Sequence, residues 1–187
     1  MTSVCVFCGS STGSNPAFAS AARRMGAGLA ARGLGLVYGG GSVGLMGVVA
    51  DAVLEAGGRA TGVITEALAG HEIAHGELSD LHVVRTMHER KALMAELSDA
   101  FVMLPGGFGT YEEFMESVTW VQLGIHDKHC GILNVEGFYD GLLSFLGHAV
   151  DSGFIRREQV EGLSVSDDVD ALLDVIVGSA RARLASR

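Results

Sequence analysis

Residues Pro105 to Glu113 read PGGFGTYEE and set a possible anion cradle beside carboxylates. They follow the apolar run AFVML and open an amphipathic helical pattern. A glycine-rich turn at such a place delivers backbone N–H groups to a helix start, which suits an anion. Gly106, Gly107 and Gly109 let backbone approach a ligand where a Cβ would collide. Thr110 suits the N-cap of a helix whose first turn holds Glu112 and Glu113. A phosphate cradle beside an acid suggests chemistry on a phosphorylated molecule. The spacing of Thr110 and Glu113 also fits a capping box, in which the glutamate only reaches back to the N-cap amide.

A second glycine turn, GGGSVGLMG from Gly39 to Gly47, follows the run LGLVY and opens another helix. Two such turns at strand ends converge on one crevice in an open parallel sheet. Gly39, Gly41 and Gly44 satisfy G-x-G-x-x-G, and Glu66 follows near the distance of a ribose-binding acid, so a dinucleotide reading stands beside a structural tight turn. Against the dinucleotide reading, the fingerprint lies on the second strand and competes with PGGFGT for the crevice. Arg90 and Lys91 follow Thr86-x-x-Glu89, another capping box, so both cations fall in the first turns of a helix. Cations there oppose the helix dipole at about 0.3 to 1 kcal/mol. A ligand role would account for that placement; the plain alternative is that both extend into water.

His71, Glu72 and His75 spell H-E-x-x-H, the zinc-peptidase pattern. Gly70 and Gly76 bracket it and leave little room for the required helix, and His82 falls one position beyond the expected third ligand. Solvated loop histidines are the ordinary reading, and no metal is expected. Cys5 and Cys8 form C-x-x-C but lie within an apparent strand, whereas a redox pair sits at a helix start. With Cys130 they read as buried structural thiols of a reducing compartment. Trp120, the only tryptophan, suits the site, a subunit contact or plain packing.

These groups need a scaffold. Apolar runs at 4–8, 34–38, 59–64, 81–85, 100–104 and 129–134 alternate with helical patterns, and their continuous apolarity indicates strands covered on both faces. Helices are expected from Asn15-Pro16 to Gly33, then at 44–56, 86–97, 110–125, 138–152 and 168–184. This order predicts an α/β fold, a Rossmann-like three-layer sandwich with a central, mostly parallel sheet. A chain of 187 residues fits one domain, 1–187. The longest connection without periodicity runs from Glu66 to Asp80.

Charged positions such as Asp51 interrupt the apolar stretches before the roughly 20 residues that span a bilayer, so no membrane partner is expected. The N-terminus enters VCVFC without a basic region, and the chain is expected in the cytoplasm. A net charge of −9 with scattered basic residues argues against a nucleic-acid partner. Only Lys91 and Lys128 could serve a Schiff-base mechanism, and neither sits in a motif that demands one.

Three segments together, CVFCGSSTGSNPAF, LVYGGGSVGLMG and MHERKALMAELSDAFVMLPGGFGTYEEFMESVTWVQLGIHDK, resemble the LONELY GUY family of cytokinin-activating phosphoribohydrolases, whose relatives are often labelled lysine decarboxylases. The resemblance implies hydrolysis of the N-glycosidic bond of a cytokinin riboside 5′-monophosphate, or of AMP, to free base and ribose 5-phosphate. It implies catalytic roles for Arg90 and Glu113. It implies substrate contacts at Glu72, Lys91, Gly106, Gly107, Phe108, Gly109, Thr110 and Thr119. The second glycine turn, with Gly40, Gly41 and Gly44, is a further candidate at the phosphate. It also implies a Rossmann-like fold, a homodimer and no cofactor. Cleavage passes through an oxocarbenium-like state, for which Glu113 is the candidate carboxylate. Arg90 is left to hold either phosphate or leaving base. The alternative is a non-catalytic nucleotide or molybdenum-cofactor carrier of the same fold.

Overall fold

The computed structural model describes residues 2–69 and 74–185. Its strands are β1 (Ser3–Phe7), β2 (Gly35–Tyr38), β3 (Ala60–Thr65), β4 (Asp80–Val84), β5 (Ala100–Met103), β6 (His129–Leu133) and β7 (Ser164–Ser166). They form one sheet in the order β4-β3-β2-β1-β5-β6-β7, and all neighbours run parallel. The helices are α1 (Pro16–Ala31), α2 (Gly44–Glu55), α3 (Glu66–Ala69), α4 (Met87–Glu96), α5 (Phe108–Gln122), α6 (Asp140–Asp151), α7 (Arg157–Glu161) and α8 (Val169–Ala185). α1, α2 and α8 supply the core on one face, and α4 and α5 supply it on the other, joined by Tyr139. The fold is the expected Rossmann-like sandwich. After β4 the chain returns to place β5 on the far side of β1, so the C-terminal ends of β1 and β5 flank the point where the strand order reverses. Ligands in open α/β sheets bind at that point.

Local chemistry accounts for the elements. Asn15 caps α1 by accepting from the Ala17 amide at 2.9 Å, Pro16 fills the first helical position, and Gly33 follows the end at φ 66°. Ala22, Met25 and Leu29 are buried along its inner stripe. Gly26 lets α1 meet α2 closely, since a Cβ there would come within 2.5 Å of the Val49 carbonyl oxygen. Cys5 and Cys8 enter opposite core layers, so the C-x-x-C spacing is a packing pattern.

Two expectations change. β4 is an edge strand whose Leu81 and Val83 are exposed, although its apolar run suggested cover on both faces. β7 escaped the sequence reading because three residues, two of them serine, carry no apolar period.

His126 packs beside Phe101 and Trp120, with ring centroids 5.2 and 6.2 Å away. Burial, and then the Lys128 charge, lower its pKa below the ordinary 6.5; burial alone lowers that of His129. Below pH 6.5 the unfolded chain therefore binds more protons at these sites, and stability falls as the pH drops. Urea midpoints measured between pH 7.5 and 5.5 should decline, and His126→Gln should flatten that decline.

Candidate active site

The ends of β1 and β5 are fixed to each other. The Leu104 amide donates to the Phe7 carbonyl at 2.9 Å, and the Gly9 amide to the Pro105 carbonyl at 3.0 Å. The Tyr139 hydroxyl donates to the Leu104 carbonyl at 2.6 Å and holds the strand end from below. From this base the turn Pro105–Gly107 lifts into α5.

Gly107 is the N-cap of α5 and makes no side-chain cap bond. The first-turn amides, which a helix cannot satisfy internally, lie beside a cavity of about 120 Å³. Cys8, Gly9, Ser10, Met46, Arg90, Gly107, Gly109, Thr110 and Glu113 line it. A neighbouring cavity of about 240 Å³ shares Gly9, Ser10 and Gly107 and adds Phe18, Leu45 and Phe138. α5 thus starts two residues earlier than expected, and Thr110 sits inside its first turn, folded toward Gly106. The capping-box reading of Thr110 and Glu113 falls, because the Glu113 carboxylate points elsewhere.

It points to Arg90. Arg90 Nη1 donates to Glu113 Oε1 at 3.0 Å, with the two side chains only 6% and 12% exposed. Arg90 also donates from Nε to the Val63 carbonyl at 2.8 Å and from Nη2 to the Gly39 carbonyl at 3.2 Å. A buried guanidinium is tolerated when its donors are so matched. The Thr86–Glu89 capping box is formed and starts α4 where Arg90 faces inward. Arg90 therefore does not extend into water.

Lys91 leaves the cavity and bonds Glu112 and, at 3.0 Å, Glu116. Burial pulls its ammonium pKa down, but these carboxylates outweigh it and hold the value above the ordinary lysine range. Burial, then the Glu113 charge, push the Cys8 thiol far up, which removes it as a thiolate nucleophile at neutral pH.

The second glycine turn packs inside the protein. Gly40 and Gly41 are buried, and none of Gly40, Gly41 and Gly44 lines either cavity. Gly39 leaves room for Arg90 Nη2, which a Cβ would approach to 2.2 Å. Gly44, at φ 61°, lies against Ser10 and Ser11, where a Cβ would come within 2.2 Å of backbone. The loop meeting PGGFGT is Gly9–Gly13, missed in the sequence although its small polar run after β1 was a usable signal.

Other expected positions separate from the cavity. Phe108 is 92% exposed. Thr119 is exposed on another face of α5, where its hydroxyl donates to the Met115 carbonyl. Trp120 packs against the core and His126. His71 and Glu72 lie outside the described residues. His75 is buried, contrary to a solvated loop histidine, and both its ring nitrogens have protein partners.

Residues 46–176 match the family described as possible lysine decarboxylase. The chain is 52% identical, over 83% of its length and 70% of the other, to a probable cytokinin riboside 5′-monophosphate phosphoribohydrolase of Oryza sativa subsp. japonica. It is also 52% identical, over 81% and 71% of the two lengths, to a cytokinin riboside 5′-monophosphate phosphoribohydrolase of Arabidopsis thaliana. Among solved structures it is similar to the molybdenum cofactor binding protein of Rippkaea orientalis, with a TM-score of 0.71, 19% identity, and 95% and 96% of the two chains covered. The molybdenum cofactor carrier protein of Chlamydomonas reinhardtii gives 0.70, 21%, and 97% and 98%. At such identities the likeness is one of fold.

The glycines make a direct contrast. Gly44→Ala forces a strained φ and a backbone clash and should cost on the order of 2 kcal/mol. A Cβ on Gly109 meets nothing within 4 Å, and Gly109→Ala should stay within about 1 kcal/mol, the helix-propensity scale. Urea unfolding of both variants checks the pair.

Proposed function

The chain belongs to the family of cytokinin riboside 5′-monophosphate phosphoribohydrolases, and on that premise we propose that it hydrolyses the N-glycosidic bond of such nucleotides, and of AMP, to free base and ribose 5-phosphate. The observation that supports this most is the buried Arg90–Glu113 pair facing a cavity bordered by the α5 N-terminus. The 5′-phosphate rests on the amides of the Gly106–Thr110 turn, where the helix end favours negative charge. That contact fixes the sugar by binding energy remote from the reacting bond. The nucleotide spans the two adjoining cavities through their shared residues Gly9, Ser10 and Gly107.

As the C1′–N bond lengthens, its electron pair leaves with the base and positive charge grows on the ribose. Glu113 stabilises that charge and accepts a proton from the water whose oxygen bonds C1′. The departing base nitrogen takes up a proton from solvent, and Glu113 then returns its proton to solvent, which completes the balance. Arg90 holds the Glu113 carboxylate in place. No metal or redox step enters.

A decarboxylase reading has no suitable amine. Lys91 is held charged by two carboxylates, and Lys128 Nζ donates to the Ala95 carbonyl. We further propose a homodimer, which would cover the exposed Val121, Leu123 and Ile125 at the end of α5. A cytoplasmic location fits the three free cysteines.

Glu113→Gln should keep AMP binding yet lower turnover at least ~100-fold, the scale of a proton-transfer group. Chromatography of free adenine, beside a nucleotide-binding titration, measures both. A normal rate would remove Glu113 from the mechanism. Tight binding with no adenine released by the unaltered protein would favour a carrier.

A further inference from the structure

His75, the second histidine of the H-E-x-x-H pattern, has no part in the chemistry above, yet it is 8% exposed and fully engaged. Its Nδ1 accepts from the Glu77 amide at 3.3 Å, which places the ring proton on Nε2. Nε2 then donates to Asp51 Oδ1 on α2 at 2.8 Å. The His75 amide donates to the Gly40 carbonyl at 3.1 Å, and Ala74 pairs with Gly41 as an antiparallel bridge. The neighbouring carbonyl, that of Gly39, receives Arg90 Nη2. One continuous set of bonds therefore runs from Asp51 through His75 and the glycine turn to Arg90 and Glu113.

The glycine turn needs such a tie. Gly40 has φ 78°, and glycine backbone loses more freedom on ordering than any other. With the Gly39 carbonyl out of place, Arg90 would lose one of its three oxygen partners and its hold on Glu113 would loosen. We infer that His75 is a positioning residue: its bond to Asp51 clamps segment 74–75 onto the glycine turn and so sets the Gly39 carbonyl that seats Arg90. This rests on the proposed hydrolysis, because Arg90 and Glu113 are the groups positioned.

Asp51 tests it better than His75, since its side chain is 54% exposed and its loss leaves the core intact. Asp51→Ala should lower kcat for AMP about 10-fold with KM within about 2-fold, a displacement of a fraction of an ångström being enough for that. Asp51→Asn, whose carbonyl still accepts from Nε2, should restore most of kcat. Hydrogen exchange at Arg90 Nε, protected in the parent by Val63, should quicken in Asp51→Ala and not in Asp51→Asn. Unchanged kcat and unchanged exchange in Asp51→Ala would overturn the inference, as would equal impairment of both variants. Should the parent release no adenine, the hydrolase reading fails, and the exchange measurement still decides whether the clamp exists.

Discussion

A guanidinium lies almost entirely out of water at the C-terminal edge of the sheet, and much of the surrounding structure follows from having to match it. Desolvating a charge is costly unless every exposed face of it finds a partner. Arg90 finds three oxygens on three different segments, the turn after β2, the body of β3 and the first turns of α5. It thereby ties α4 to β3, to the turn after β2 and to α5. The same bonds explain why a cation is tolerated in the first turn of α4: its charge is answered by a carboxylate and two carbonyls, which outweigh an unfavourable dipole of about 0.3 to 1 kcal/mol.

Glycine serves two opposite purposes around that charge. In the turn after β2 it makes room inside the protein, where Gly39 admits the guanidinium and Gly44 admits the loop after β1. In the turn after β5, Gly107 and Gly109 border open space, and a Cβ there meets nothing within 4 Å. The two turns look alike as strings of letters. Only the second lines the cavities, while the first packs inside the protein against Arg90 and the loop after β1.

The fold was largely legible because buried parallel strands read as continuous apolar runs, and the helix ends carried Asn15-Pro16, Thr86 with Glu89, and Gly33. The failures have physical causes. Burial of an edge strand depends on what packs beside it, which the run LHVVR does not contain. Thr110 was misplaced because Thr-x-x-Glu spacing is shared by a cap and by the interior of a first turn. The inward course of Arg90 was open, since a residue following a capping box can face either way. The loop Gly9–Gly13 was passed over because serine and glycine after a strand also describe an ordinary connection.

The direction of the Arg90 bonds bears on a question the letters left open, whether this residue grips phosphate or base. Guanidinium carries five N–H groups. Three are committed to Val63, Gly39 and Glu113, Nη1 also approaches Met87 Sδ at 4.0 Å, and the side chain is only 6% exposed. Swinging out to follow a phosphate would strip two buried carbonyls and a carboxylate of their donor, each loss costing about 1 to 3 kcal/mol. A fixed post is the role that fits the proposed reaction: it keeps Glu113 aimed, while the α5 amides, with no competing cap, are left for the phosphate. In the proposed reaction the positive groups are divided by task, with the helix end addressing the substrate's permanent charge and the arginine addressing the enzyme's own.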